Sequence, residues 1–127
     1  MPTKHLIAIV DDDEPVRLAL RSLLNSMGFP AETFPSAEKF LASRKLRRTS
    51  CLIVDVTMPG MTGPALHRHL KALGIDIPTI LITAYPDEGV RDAALKDGVI
   101  GFLTKPFDEE DLLAGVHSAV GTAGPAS

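Results

Sequence analysis

Three uninterrupted apolar runs set the first constraint on this chain: Leu6–Val10, residues 51–54 and residues 79–82. A strand with one wet face alternates apolar and polar residues. Continuous runs suit strands covered on both faces, as in a parallel sheet with helices on each side. Residues 31–34 and 99–103 are weaker strand candidates.

Helical patterns separate the runs. Val16, Leu20, Leu23, Leu24 and Met27 repeat along one helical face, with Asp13 as a capping residue, Pro15 in the first turn and Gly28 as the stop. Residues 36–43 form a short second helix. Leu66, Leu70 and Leu73 mark a third, entered through Gly63-Pro64 and ended by Gly74. Val90, Ala93, Ala94 and Leu95 mark a fourth, ended by Gly98. Leu112, Leu113, Val116 and Val120 mark a fifth, capped by Asp108. The order is strand then helix, five times. Right-handed crossovers then favour a flavodoxin-like, doubly wound α/β fold, with five parallel strands in the order 2-1-3-4-5.

A length of 127 residues with 45% hydrophobic side chains suits one domain over residues 1–120, with 121–127 as a flexible tail or the start of a linker. Thirteen basic and sixteen acidic side chains leave a net charge of −3, too mild for a nucleic-acid surface. No DNA-binding helix pair is recognisable, so no direct nucleic-acid contact is expected. Cys51 is the only cysteine, and no apolar run reaches the roughly 20 residues needed to span a bilayer. A cytoplasmic protein without membrane attachment is the expectation.

In such sheets ligands bind beyond the carboxyl ends of the strands, where the strand order reverses. Asp11, Asp12 and Asp13 follow the first strand. Asp55 and Thr57 follow the third, Thr83 and Ala84 the fourth, and Thr104, Lys105 and Pro106 the fifth. Clustered carboxylates repel one another, and a hard divalent cation such as Mg2+ removes the conflict through oxygen ligands. A lysine ammonium and a threonine hydroxyl beside it could hold a phosphate. An aspartate carboxylate can serve as the nucleophile, and Asp55 is the central candidate.

Four blocks carry a family likeness: residues 9–13 (IVDDD), 54–63 (VDVTMPGMTG), 82–84 (ITA) and 102–107 (FLTKPF). Asp12 and Asp55 are 43 residues apart, Thr83 follows 28 later and Lys105 another 22. The chain resembles the receiver domains of two-component response regulators over nearly its whole length. Residues 14–17 (EPVR) and 36–38 (SAE) resemble the FixJ-like subgroup most.

The resemblance implies that Asp55 accepts a phosphoryl group. Asp12 would hold Mg2+ directly, Asp11 largely through water, and the Thr57 carbonyl would complete the protein ligands beside Asp55. It implies that Thr83 and Lys105 contact the phosphoryl group and that Phe102 is a switch aromatic. It also implies a cis Lys105–Pro106 bond and access to Asp55 past the small Ala84. The implied donor is a histidine kinase or phosphotransfer protein. A phosphorylation-dependent homodimer through the fourth helix and fifth strand, and a transcriptional output, are also implied. Thr57 and Tyr85 occupy the positions that tune phosphoryl lifetime in that family. Neither is acidic or an amide, so unusually fast self-dephosphorylation is not expected.

Two other functions compete. A Mg2+-dependent phosphohydrolase would use Asp11 and Asp13 after the first strand, leaving Asp55 and Lys105 unexplained. A receiver-like scaffold would bind partners without phosphorylation. Asp13 is better explained as a helix cap than as a metal ligand. His5, His67, His69 and His117 are not read as ligands, and Arg44, Lys45, Arg47 and Arg48 read as a solvated loop. Cys51 reads as a small core residue. Met58 and Met61 could touch a partner or simply pack their loop.

Overall fold

The computed structural model describes residues 6–121. The strands are β1 (Leu6–Val10), β2 (Ala31–Phe34), β3 (Thr49–Asp55), β4 (Thr79–Thr83) and β5 (Gly101–Thr104). The helices are α1 (Glu14–Ser26), α2 (Ala37–Leu41), α3 (Gly63–Ala72), α4 (Glu88–Lys96) and α5 (Glu109–Val116). All strand pairs are parallel, in the order β2-β1-β3-β4-β5. His5 and, beyond Gly121, the expected tail lie outside the described residues.

Strand alternation divides the core into two layers. Ala8, Val10, Leu52, Val54 and Leu81 face Phe40, Leu66, Leu70 and Ala94. Ile7, Ile9, Cys51, Ile53, Ile80 and Ile82 face Leu20, Leu24, Leu112 and Val116. With both faces covered, the middles of the central strands are wholly apolar and buried polar side chains sit only at strand ends, as at Thr79 and Thr83 of β4 and Asp55 of β3. This accounts for the uninterrupted runs in the sequence. Cys51 is fully buried, and burial pushes its thiol up to about 12. Met58 is buried and Met61 packs against the same layer, so both methionines anchor their loop.

Several expectations shift. β3 starts at Thr49, where its pairing with β1 changes register beside Leu6. β5 starts at Gly101 rather than 99. Val99 instead closes α4, its N–H donating to the Ala94 carbonyl after Gly98 turns the chain at φ +103°. Met27, Leu73, Ala93 and Leu95 were placed on buried helix faces and are exposed. Each lies in the last turn of its helix or just beyond it; in α4 the buried position of that turn is Ala94, which turns its neighbours Ala93 and Leu95 outward. Asp13 and Asp108 occupy N-cap positions without a side-chain capping hydrogen bond. The side chains that do cap are Ser36, Thr62 and Asp87. The basic stretch is not wholly loop: Leu46–Arg48 makes a 3-10 turn, and the Lys45 ammonium pairs with Glu32 of β2 at 2.7 Å.

Among the described residues no helix is long and apolar enough to cross a membrane.

Candidate functional site

The site lies where β1, β3 and β5 release the chain. Asp55 is the last residue of β3 and is 7% exposed. β4 supports the backbone just beyond it: the Val56 N–H donates to the Ile82 carbonyl at 2.8 Å. On its other side the loop returns against it. An added Cβ at Gly63 would lie 2.5 Å from the Asp55 carbonyl oxygen, so only glycine lets α3 start this close. The Thr57 N–H points back at Asp55 Oδ1 over 3.4 Å.

Asp11 follows β1 and is fully buried. Its polar groups are all occupied. The N–H donates to the Phe34 carbonyl at 3.1 Å, and Oδ1 accepts from the Asp13 N–H at 2.9 Å. Oδ2 accepts from the Lys105 ammonium at 3.1 Å, and the carbonyl accepts from Arg17 Nη1 at 2.7 Å. Asp12, next in the chain, is exposed. Asp11, Asp12 and Asp55 each offer a carboxylate oxygen within 4.8 Å of the other two. Hard, negatively charged oxygens converging at that spacing fit a divalent cation such as Mg2+.

Lys105 reaches the cluster from the end of β5, where its N–H donates to the Thr83 carbonyl at 2.7 Å and the Lys105–Pro106 bond is cis. Its ammonium stands 3.6 Å from Asp55 Oδ2. Burial alone would lower its pKa. The hydrogen bond and charge of Asp11, followed by those of Asp55, outweigh burial and hold it above its ordinary value. Asp55 shifts upward too. Burial is the main cause and the Asp11 charge the next, with Lys105 and the Thr57 N–H pulling the other way without cancelling them. The site therefore holds a surplus of negative charge that one lysine does not balance.

Thr83 is buried at the end of β4. Its hydroxyl accepts from the Tyr85 N–H at 3.0 Å and lies 3.3 Å from the Tyr85 carbonyl, closing a tight turn. A pocket of about 270 Å³ opens over the cluster, lined by Asp12, Asp13, Asp55, Thr57, Ala84, Tyr85 and Lys105. Phe102 is partly buried on β5 and lines a separate cavity of about 380 Å³ with Arg91, Thr104 and the start of α4. Thus the expected site residues Asp11, Asp12, Asp55, Thr57 and Lys105 meet at one place. Thr83 stands beside them, and Phe102 is set apart near α4.

Two contacts escaped the reading of the sequence. One is Arg17 on the Asp11 carbonyl. The other is Glu38 of α2, whose Oε2 accepts from the Met61 N–H at 3.2 Å and so ties α2 to the loop after Asp55. Both residues fall in the blocks that suggested the FixJ-like subgroup, which was the available signal. His67 is buried on α3, and burial lowers its pKa, whereas His69 is exposed. Histidines two apart on a helix point apart.

Residues 7–117 match the response regulator receiver domain family. The response regulator protein TodT of Pseudomonas putida is 44% identical over 115 residues, covering 91% of this chain and 51% of that protein. The transcriptional regulatory protein FixJ of Rhizobium meliloti is 38% identical over 117 residues, covering 92% of this chain and 57% of that protein. The chain spans about half the length of the curated relatives it matches. Among solved structures, the response regulator StyR superposes with a TM-score of 0.86 at 42% identity, covering 94% of this chain and 60% of that one. FixJ-N superposes with a TM-score of 0.84 at 38% identity, covering 94% of each chain. The chain belongs to the response regulator receiver domain family of two-component signalling.

Proposed function

We propose that this chain is a phosphorylation-dependent switch that accepts a phosphoryl group on Asp55 from a histidine kinase or phosphotransfer protein. The observation that carries the reading is the placement of Asp55. Its carboxylate closes the middle strand, within 3.6 Å of the Lys105 ammonium and inside an oxygen cluster suited to Mg2+.

Asp12, Asp55 and the Thr57 carbonyl would hold Mg2+, with Asp11 acting largely through water because its own atoms are already engaged. Bound there, Mg2+ supplies positive charge that offsets the oxygens of the transferring group. The chain's own part is positional. An oxygen of Asp55 attacks phosphorus, the bond from phosphorus to the donor's imidazole nitrogen breaks, and that nitrogen keeps the electron pair. Lys105 steadies the new anion. The phosphoryl group carries nearly two negative charges in place of the carboxylate's one, and adds strong acceptors. Thr83 then has a better partner than Tyr85, and its movement favours the state in which Phe102 enters the cavity beside α4. The face of α4 and β5 changes with it, and a homodimer or an output partner, transcriptional as in FixJ, reads the change. The module is read as residues 1–120, with 121–127 as a tail or the start of a linker, and its setting as the cytoplasm.

Burial of Asp11 disfavours a phosphohydrolase with its nucleophile after β1, since both carboxylate oxygens are already hydrogen-bonded. Intact-mass analysis tests the choice. With acetyl phosphate and Mg2+ the protein should gain one phosphoryl mass, and with chelator it should gain none. Steady turnover of phosphate esters without stoichiometric labelling would overturn the reading.

A further inference from the structure

We propose that Arg17 is a positioning residue for the acidic pair, acting through the peptide that joins Asp11 to Asp12; the inference rests on the reading of those aspartates as the Mg2+ site. The Arg17 side chain reaches back from the first turn of α1 to the peptide that precedes Asp12. Its guanidinium donates to the Asp11 carbonyl at 2.7 Å, while its backbone N–H makes the first helical bond of α1, to the Asp13 carbonyl at 3.1 Å, which any side chain here would leave in place. The side chain is only 14% exposed, and its other edge reaches Glu14 at 4.0 Å. A peptide is planar, so holding the Asp11 carbonyl oxygen also holds the plane that contains the Asp12 nitrogen and Cα. Asp12 is exposed and follows a residue whose every polar group is tied down. The backbone from which its carboxylate projects is therefore oriented by the peptide behind it, and the Arg17 guanidinium holds that peptide. A planar guanidinium on a long stem can make this bond in one fixed orientation, which a shorter, freely rotating ammonium cannot match.

Charge and geometry predict opposite signs here, so one measurement separates them. If Arg17 mattered only as a positive charge near an acidic cluster, removing it would tighten Mg2+ binding, because a competing cation would be gone. If it orients Asp12, removing its donors weakens binding. Partners behind metal ligands are worth roughly tenfold or more in affinity.

The experiment is Mg2+ titration by calorimetry on wild type, Arg17→Met and Arg17→Lys, with metal-free thermal melts alongside. Arg17→Met keeps the apolar stem and loses the donors. Its Mg2+ Kd should rise roughly tenfold, with Arg17→Lys in between. Labelling of Arg17→Met by acetyl phosphate at saturating Mg2+ should return to within about twofold of wild type, since the reacting groups are intact. Amide exchange at Asp12 and Asp13 should speed up in metal-free protein. Unchanged or tighter Mg2+ binding by Arg17→Met overturns the inference and leaves the phosphoacceptor reading standing. Failure of the wild type to bind Mg2+ overturns both. Should Arg17→Met not fold, Arg17→Lys decides: a severalfold weaker Kd supports the inference, and wild-type affinity overturns it.

Discussion

Asp55→Asn should take no covalent phosphoryl label from acetyl phosphate or a cognate kinase, and should melt higher than wild type at neutral pH in metal-free buffer. The first result follows from chemistry, since an amide oxygen is too poor a nucleophile to form the acyl phosphate. The second follows from the upward shift of Asp55, caused mainly by burial and then by the Asp11 charge. A carboxyl held above its ordinary value binds its proton more tightly in the folded than in the unfolded chain. Stability therefore falls as pH rises through the ordinary carboxylate range toward the folded value, and the whole deficit is present above it. Asparagine keeps the shape and removes the charge. At pH 7 the variant should therefore melt higher, and the gain should shrink as pH falls from the raised folded value toward the ordinary aspartate value of about 4, below which it is gone. Mg2+ should stabilise wild type by mass action and the variant much less. A variant that labels like wild type would remove Asp55 from the mechanism. One that melts lower at pH 7 would refute the charge argument.

Gly63→Ala should be the most damaging single-methyl change around the site. The new Cβ would meet the Asp55 carbonyl oxygen at 2.5 Å, the Asp55 carbonyl carbon at 3.1 Å and Leu81 at 3.1 Å. The nearest atoms are backbone, which cannot rotate away as a side-chain end can. Either α3 retreats or the last residue of β3 moves. Overpacking of this kind costs about 3 kcal/mol, a large part of the 5–15 kcal/mol that holds a typical domain together. The expected fall in Tm is about 10 °C, and acetyl phosphate labelling should slow even where the variant is fully folded, because Asp55 itself is displaced. Gly28→Ala is the control. Gly28 has φ +89° with nothing within 4 Å of an added Cβ. That change carries only backbone strain, about 1 kcal/mol, and should leave labelling untouched. Wild-type melting and labelling in Gly63→Ala would show that the loop yields freely.

The contrast between these two glycines shows what could be read from the sequence. Gly28 ends a helical pattern, and its role was legible from position alone. Gly63 was legible only as a helix entry, because its clash partner lies eight residues earlier and meets it through the folded loop. The apolar runs gave the sheet because central strands buried on both faces have no other composition available. Strand edges were less legible: Val99 looks like the start of β5 but is used to close α4. Asp13 shows the same limit. Its type and position suit a cap, yet what its backbone N–H does is decided by the Asp11 carboxylate. Asp11, Asp12, Asp55 and Lys105 were found because the fold puts strand ends together and the chemistry is carried by residue type. Arg17 and Glu38 act on backbone atoms of other residues, and such contacts leave no chemical signature in their own identity.

The most direct test is to locate the phosphoryl group. Wild-type protein labelled with acetyl phosphate and Mg2+ is reduced with borohydride, which converts an acyl-phosphorylated aspartate to homoserine, and the peptides are mapped. The account predicts homoserine at position 55 and nowhere else. Homoserine at position 11, 12 or 13, or a labelled protein with Asp55 unmodified, would contradict it.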